Sequence, residues 1–158
     1  LHERCDAAAI ARSVVESVQH RAPEHVDLVL DVNGSLPQVD CDPDRLRQVL
    51  GNLIDNAVKY SPDGGEVRIE VDPDGEMMRF GVHDQGLGFE QAAAERIFER
   101  FYRVDPEQTR GIGGTGLGLY ISRELVNRMG GRIWAESAPG KGASLFFELP
   151  LARDASRV

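Results

Sequence analysis

The chain has 158 residues, of which 41% are hydrophobic and 28% are charged, with 26 acidic against 18 basic side chains and a formal net charge of -8. This length and composition predict one folded domain with a hydrophobic core of its own. The acidic balance excludes a surface built for non-specific binding to nucleic acid, and no apolar run is long enough to span a membrane. Cys5 and Cys41 lie in no metal-binding spacing, which favours buried thiols in a reducing, cytoplasmic compartment.

Hydrophobic spacing predicts three helices and a set of strands. In chain order these are a helix over residues 7–21, a strand over 25–32, an extended segment over 38–41, a helix from Asp42 to about Tyr60, strands around 67–71 and 78–82 joined by a turn at Pro73-Asp74-Gly75, a helix from Thr115 to Met129, and strands over 132–136 and 144–149. The long irregular stretch over 89–113 is typical of a functional lid. We therefore predict a single α/β domain over residues 1–150, a two-layer sandwich with three helices on one face of a mixed sheet, followed by a frayed tail over 151–158.

The second predicted helix has an apolar face and, away from it, a polar stripe. The apolar face predicts contact with the core and consists of Leu46, Leu50, Leu53, Ile54 and Ala57. The stripe contains Asn52, Asn56 and Lys59 at i, i+4 and i+7, with Gln48 on the same side and Asp55 beside them. Asparagine is unfavourable in the middle of a helix, so the stripe indicates binding, with a solvated helix face as the alternative. Two amide oxygens and one ammonium group suit a hard cation and a phosphate.

A second candidate site begins where the predicted hairpin ends, at Asp84, Gly86 and Gly88 in a DQGLG pentapeptide. Strand alternation places Asp84 on the face of Phe80 and Val82, which the helices should cover. A carboxylate there needs hydrogen-bond donors, and the exocyclic amine of a purine is one. The glycines would let a flat ring approach the backbone closely. The alternative is a solvated aspartate in a glycine-rich turn.

Glycine is concentrated between Gly111 and Gly118, just before the third predicted helix. A glycine-rich segment that enters a helix N-terminus offers free N–H groups and the positive end of the helix dipole to an anion. No Lys-Ser/Thr pair follows the last glycine, which excludes a Walker loop, and no strand precedes the run, which excludes a dinucleotide fingerprint. The alternative is a flexible loop before a tight helix start.

These three motifs, in this order, resemble the nucleotide-binding core shared by DNA gyrase, heat-shock chaperone ATPases, histidine kinases and mismatch-repair ATPases, which is the GHKL group with the Bergerat fold. Within that group the chain resembles the catalytic and ATP-binding domain of sensor histidine kinases, over roughly residues 5–150. The matching motifs are an N-box from Asn52 to Tyr60, a first glycine box from Asp84 to Gly88, an F-box from Phe98 to Arg103 and a second glycine box from Gly114 to Gly118.

The resemblance implies ATP or ADP as ligand, Mg²⁺ as cofactor and a role for each matching residue. Asn56 would coordinate Mg²⁺ that bridges the phosphates, Asn52 would line the phosphate site, and Lys59 would contact phosphate oxygens. Asp84 would accept a hydrogen bond from the adenine amino group, and Arg103 would steady the γ-phosphate. The remaining implied nucleotide-binding residues are Tyr60, which would pack on the adenine, and Gly86, Gly88, Phe98, Gly114, Thr115, Gly116, Leu117 and Gly118.

One residue separates phosphoryl transfer from hydrolysis. By the resemblance, the ATPases of the group carry a glutamate at the position of Asn52, and an amide cannot act as a general base at neutral pH. We therefore expect a domain that donates the γ-phosphoryl group of ATP to a histidine on a dimerisation domain, and indirectly to a response regulator, in two-component signalling. The alternatives are an anti-sigma-factor-type serine kinase, a GHKL ATPase and a nucleotide-binding module without turnover.

No phosphoacceptor histidine is expected within the sequence. His2, His20, His25 and His83 all lack the acidic and Arg-Thr-Pro-like context that such a residue has in the family. The dimerisation and phosphoacceptor domain is therefore expected to be absent, so the chain alone should not phosphorylate itself and should be monomeric. We expect no nucleic-acid partner and no direct membrane contact, whether or not the parent protein is anchored in the inner membrane. The lid is expected to become ordered by the γ-phosphate.

Overall fold

The computed structural model describes residues 2–103 and 116–153. The helices within these ranges are α1 (Ala7–Arg21), α2 (Pro43–Lys59) and α3 (Gly118–Arg128), with a 3-10 helix at Gln91–Ala93. The strands are β1 (Glu3–Cys5), β2 (Val26–Val32), β3 (Val39–Cys41), β4 (Gly65–Asp74), β5 (Met77–His83), β6 (Arg132–Ser137) and β7 (Ala143–Pro150). None of these helices is both long enough and apolar enough to cross a membrane. The predicted lid beyond residue 103, with Gly114 and Thr115, and residues 154–158 of the predicted tail lie outside the described residues.

Five strands form one mixed sheet in the order β2-β4-β5-β7-β6. β2 and β4 are parallel, whereas the pairs β4–β5, β5–β7 and β6–β7 are antiparallel. A parallel pair needs a crossover connection, and the chain between β2 and β4 supplies it with β3 and α2. This crossover places α2, which carries the predicted N-box, over the middle of the sheet, where it contacts β4 and β5.

The core lies between the three helices and one face of the sheet. Phe80 of β5 and Phe147 of β7 are both 0% exposed, and their rings stack with centroids 4.5 Å apart. The same face buries Val67, Ile69, Val71, Met78, Val82, Leu145 and Leu149. Side chains that alternate with these, such as Arg68 and Arg79, lie on the opposite face and are partly exposed. The predicted two-layer α/β fold, with three helices on one face of a mixed sheet, is confirmed.

Both ends of α2 lie where the sequence predicts them. The Asp42 carboxylate accepts hydrogen bonds from the backbone N–H groups of Asp44 and Arg45, at 3.0 and 3.4 Å. These bonds satisfy N–H groups that have no partner within the helix. Pro43 occupies the first position, where the missing N–H costs nothing, and Tyr60 is the C-cap.

The turn between β4 and β5 comes later than the sequence predicts. Pro73 and Asp74 belong to β4, and Gly75 and Glu76 form the turn. The predicted turn at Pro73-Asp74-Gly75 is therefore wrong. Proline is tolerated in β4 because pairing with β2 ends at Val71, so this end of β4 has a single neighbouring strand.

The third helix also begins later than predicted, at Gly118 and not at Thr115. Gly116 has φ +75°, which lies outside the right-handed helical region, so the helix cannot continue back through it. At the other end α3 stops at Arg128, and Gly130 follows with φ +80° in the left-handed conformation that ends many helices.

The sequence predicts no strand before the first helix, yet Glu3–Cys5 form β1, which pairs with β3 in a separate two-stranded sheet. Three residues are too few for an alternating pattern to be recognised, and the pairing depends on a partner elsewhere in the chain. Cys5 and Cys41 come from these two strands. Both are buried free thiols, as predicted, and the Cys5 thiol donates to the Cys41 carbonyl oxygen at 3.5 Å.

His83 lies on the outer face of the sheet, as strand alternation predicts. Its Nδ1 is 2.7 Å from the Ser144 hydroxyl oxygen, and its ring meets the Phe146 ring edge-on. This histidine therefore packs on the side of the sheet that is opposite to the three helices.

Candidate functional site

α2 carries both the core face and the polar stripe. The five predicted core residues are at most 1% exposed, namely Leu46, Leu50, Leu53, Ile54 and Ala57. On the stripe, Asn52 and Asn56 are half-buried and Lys59 is exposed. Asp55 is already engaged, because both of its oxygens accept from Nη2 of Arg21, at 2.9 and 3.0 Å. The stripe therefore presents two amides and one ammonium group along a single face of the helix.

Asn52 reaches from α2 to the first turn of α3. Its Nδ2 donates to the carbonyl oxygen of Gly118 at 3.3 Å and to Oγ of Ser122 at 3.2 Å. Ser122 is 0% exposed, and its hydroxyl donates to the same Gly118 carbonyl at 2.9 Å. These bonds join two predicted motifs that lie 66 residues apart in the chain.

Among the described residues, no side chain caps the N-terminus of α3. Leu117 occupies the cap position and makes no side-chain hydrogen bond there. A Cβ added to Gly118 would meet no atom of the described residues within 4 Å, so these residues leave the space beside the first turn open. Uncapped N–H groups, the positive end of the helix dipole and open space are the features of an anion site.

Asp84 is held by two backbone donors. Its Oδ1 accepts from the N–H of Gly86 at 2.9 Å and from the N–H of Ala143 at 3.1 Å. Burial raises the pKa of this carboxyl, while the two N–H groups and the nearby His83 act to lower the pKa. No group among residues 2–103 and 116–153 donates a hydrogen bond to Oδ2. Within these ranges, Oδ1 of Asp84 has two donors and Oδ2 has none.

Contacts within the protein explain why positions 86 and 88 are occupied by glycine. A Cβ on Gly86 would lie 1.9 Å from the carbonyl oxygen of Tyr60, and a Cβ on Gly88, where φ is +66°, would lie 2.2 Å from the carbonyl oxygen of Ala138. Close approach of a ligand ring is therefore not needed to account for these glycines. The Leu87 N–H donates to the Tyr60 carbonyl at 3.1 Å, so the first glycine box packs against the end of α2. The Tyr60 side chain is half-buried, and its contact with adenine stays a prediction.

The described part of the predicted lid, residues 89–103, is anchored to the core. Phe98 is 3% exposed within that core, so its observed role is to hold this segment, and its contact with a nucleotide stays a prediction. Phe101 is 63% exposed with φ +64°, and its N–H donates to the Gly116 carbonyl at 3.0 Å. Arg103 is exposed at the end of this segment. The F-box therefore lies next to the second glycine box.

Comparison with known proteins agrees with this arrangement. Residues 41–153 match the family model described as histidine kinase-, DNA gyrase B- and HSP90-like ATPase. The chain belongs to this family. It is similar to the sensor histidine kinase WalK of Bacillus subtilis (strain 168), with 42% identity over 139 residues, which cover 87% of this chain and 23% of WalK. It is also similar to WalK of Staphylococcus aureus, with 47% identity over 111 residues, which cover 69% of this chain and 27% of that protein.

Solved histidine kinases share the fold of this ATPase domain. Full-length ShkA in complex with AMPPNP superposes with a TM-score of 0.85 at 35% identity, covering 99% of this chain and 32% of ShkA. The mycobacterial sensor histidine kinase MprB superposes with a TM-score of 0.82 at 28% identity, covering 98% of this chain and 100% of that one. The chain spans about a quarter of the length of the WalK relatives. The predicted membership of the histidine-kinase branch is confirmed.

The turn between β6 and β7 of the ATPase domain adds contacts that sequence reasoning misses. Besides the Ala143 N–H on Asp84, the Ser137 hydroxyl accepts from the Phe89 N–H at 2.9 Å and donates to the Gly142 carbonyl at 2.7 Å. The strand ends beside this turn therefore bind Asp84, the first residue of the first glycine box, and Phe89, which follows the box. The sequence signal is the GKG tripeptide that ends at Gly142, since paired glycines in a hairpin turn indicate a special backbone geometry.

Ser122 is a second missed residue. Its signal is a small polar side chain four positions before Val126, which is fully buried. Residues at i and i+4 share a helix face, so a hydroxyl at this position is expected to be buried and to need partners.

Proposed function

We propose that this ATPase domain binds ATP together with Mg²⁺ and positions the γ-phosphoryl group for transfer to a histidine on a separate dimerisation domain, from which it passes to a response regulator. The observation that carries the proposal is the bond between Asn52 and the first turn of α3. It joins an amide-bearing helix face to an uncapped helix N-terminus, and these two features suit a metal and an anion respectively.

The nucleotide would lie along α2. Asn52 and Tyr60 are separated by about 12 Å along the helix axis, from the rise of about 1.5 Å per residue. Asp84 lies beside the Tyr60 end through the first glycine box, whereas α3 begins at the Asn52 end. This order supports adenine at Asp84, with its amino group donating to Oδ2, and the phosphates toward α3.

Local positive charge would offset the acidic surface of the domain. The formal net charge of -8 repels a nucleotide at long range. At short range, Lys59, Arg103 and the N-terminus of α3 would face the phosphates, and interactions of this kind are strongest where water is excluded. We propose Lys59 and Arg103 as phosphate contacts, with Gly114, Thr115, Gly116 and Leu117 supplying backbone N–H groups.

Asn56 would hold the metal. Its side chain is half-buried on the same helix face as Asn52 and makes no hydrogen bond within the described parts of the chain. Mg²⁺ keeps several waters and takes one or two protein oxygens together with substrate phosphates, so a single amide oxygen suffices as the protein ligand. When bound, Mg²⁺ would supply charge neutralisation at the phosphates.

The geometry favours transfer over hydrolysis. Asn52 uses Nδ2 to bind α3, and its remaining atom, Oδ1, accepts hydrogen bonds but cannot remove a proton from water. The domain would therefore contribute positioning and electrostatic stabilisation, while the nucleophile comes from the acceptor histidine.

The test is transfer in trans from ATP labelled at the γ-phosphorus to a separately purified dimerisation domain of the parent kinase. We expect label on that acceptor that is lost in acid and retained in base, as phosphohistidine is, and little free phosphate when the acceptor is omitted. Asn56→Ala should abolish transfer, and Ser17→Ala on the exposed face of α1 should leave it unchanged.

Two other outcomes would overturn the proposal. Rapid release of free phosphate by the chain alone would indicate an ATPase, and acid-stable label on a protein acceptor would indicate a serine kinase.

A further inference from the structure

Ser122 makes two hydrogen bonds although it is fully buried. Its hydroxyl hydrogen points to the Gly118 carbonyl one turn earlier at 2.9 Å, and its oxygen accepts from Nδ2 of Asn52 at 3.2 Å. A buried hydroxyl without partners is costly, so both bonds are expected to be kept in the folded state. The serine thus connects the core of α3 to one functional side chain on α2.

These contacts allow one orientation of the Asn52 amide. The Gly118 carbonyl only accepts, and it lies 3.3 Å from Nδ2. A flipped amide would place Oδ1 against that carbonyl oxygen and against a hydroxyl whose single hydrogen is already donated to it. Two acceptors facing each other repel, so Nδ2 must face α3. Oδ1 is consequently turned away from α3.

This orientation decides what Asn52 can bind. Phosphate oxygens accept hydrogen bonds, and so does Oδ1 of Asn52, so a direct bond between them would lack a hydrogen. Oδ1 can therefore bind a cation or a hydrogen-bond donor. Since Asn56 is the residue that we propose for the metal, the partner left for Oδ1 of Asn52 is a donor, and water is the donor that accompanies phosphates and hydrated Mg²⁺.

We propose that Ser122 is a positioning residue that holds the Asn52 amide with its oxygen toward the bound nucleotide, so that Asn52 binds the phosphates through a water molecule and not directly. This inference rests on the proposed function, since it requires a nucleotide beside α2. It specifies how Asn52 would line the phosphate site, namely through water.

Without the hydroxyl, the preferred orientation of the amide is held less strongly. In Ser122→Ala, Nδ2 keeps one of its two partners among the described residues, the Gly118 carbonyl at 3.3 Å. A neutral hydrogen bond contributes about 0.5–1.5 kcal/mol, which corresponds to roughly a twofold to tenfold change in an equilibrium constant. We therefore expect nucleotide affinity to fall by about that factor, through a mixed population of amide orientations.

The first experiment observes the amide without nucleotide. In the ¹⁵N-labelled 158-residue chain, the side-chain NH₂ signals of Asn52 are assigned by their loss in Asn52→Ala. We expect them to exchange slowly with water in the unmutated chain and in Ser17→Ala, and to exchange fast or split into two sets in Ser122→Ala. Asn52 signals that are the same in Ser122→Ala as in the unmutated chain would overturn the positioning role.

The second experiment is a double-mutant cycle on affinity for AMPPNP with Mg²⁺. Ser122→Ala is expected to weaken binding about twofold to tenfold, and to add nothing in a chain that already carries Asn52→Ala. If the affinity losses of Ser122→Ala and Asn52→Ala simply add in the double variant, the positioning role of Ser122 is overturned while the proposed function is left intact. Failure of the unmutated chain to bind AMPPNP would instead overturn the proposed function, and with it the role of Asn52 toward a nucleotide. The melting temperature of each variant, with Ser17→Ala as the matched control, separates these effects from a loss of fold.

Discussion

Two substitutions at Asp84 separate the binding of adenine from the stability of the fold. In the structure Oδ1 accepts from the Gly86 and Ala143 N–H groups, whereas Oδ2, which has no donor within residues 2–103 and 116–153, is the oxygen that we propose for the adenine amino group. Asp84→Asn keeps an oxygen for the two N–H groups and replaces Oδ2 with a donor. Asp84→Ala removes both oxygens. The first change should therefore affect the ligand, and the second should affect the ligand and the protein.

The expected loss of affinity in Asp84→Asn comes from one charge-assisted hydrogen bond. Such bonds contribute about 1.5–3 kcal/mol, which corresponds to a loss of about tenfold to 150-fold in the affinity for AMPPNP. The new NH₂ group faces the adenine amino group as a second donor, whereas it can donate to the carbonyl oxygen of guanine. Discrimination between AMPPNP and its guanine analogue GMPPNP should therefore decrease in the same variant.

The stability of the nucleotide-free domain should respond differently. Burial raises the pKa of Asp84 above its ordinary value of 3.8, so the folded state binds the proton more tightly than the unfolded state. Stability contributed by this group is therefore present below about pH 4 and is lost as the pH rises through the folded pKa. Asparagine does not ionise, so Asp84→Asn does not lose this stability as the pH rises. At pH 7 the variant should therefore be at least as stable as the unmutated domain. Asp84→Ala leaves two N–H groups without an acceptor and should lose about 2 kcal/mol or more.

Calorimetric titration with both analogues and urea unfolding at pH 7 and pH 4 measure these quantities. An affinity for AMPPNP that is unchanged in Asp84→Asn would refute the placement of adenine at Asp84. Equal destabilisation by Asn and Ala would refute the argument that Oδ1 alone supports the fold.

Three further predictions concern the metal, the first glycine box and the buried thiols. In Asn56→Ala, the affinity for AMPPNP should be the same in Mg²⁺ as in EDTA. If Mg²⁺ raises the affinity of this variant as much as it raises that of the unmutated chain, the metal is held elsewhere. Gly88→Ala should cost at least about 1–3 kcal/mol in urea unfolding, because its φ is +66° and the added Cβ would lie 2.2 Å from the Ala138 carbonyl; a loss below about 0.5 kcal/mol would contradict this. Burial raises the pKa of the Cys41 thiol, so alkylation at pH 8 should proceed only as fast as the domain opens, and immediate labelling of the folded chain would be inconsistent with the structure.

Local patterns in the sequence predict the long elements well. The apolar spacing of α1 identifies the side that is buried, since Ile10, Val14 and Val18 are all below 9% exposed. The N-cap at Asp42 and the proline after it define the start of α2 because capping is a local interaction.

Features that depend on tertiary contacts are not predicted. β1 forms by pairing with β3, and Pro73 is accommodated in β4 because the pairing of β4 with β2 ends at Val71. A local pattern can indicate that Ser122 is buried and that the β6–β7 turn is unusual. It cannot reveal the partners, because Ser122 and Ala143 lie 70 and 59 residues from the residues that they contact. The sequence does not reveal that the backbone of Tyr60 comes close to Gly86, and the approach of a ligand ring to this glycine stays a prediction.

A calorimetric titration of the 158-residue chain with AMPPNP in the presence of Mg²⁺ tests the proposed ATP site most directly. We expect saturable binding with one nucleotide per chain, weakened by Asp84→Asn and by Asn56→Ala and unchanged by Ser17→Ala. Absence of binding at millimolar nucleotide, or binding that neither of the first two substitutions weakens, would contradict the claim that α2, Asp84 and the start of α3 form an ATP site.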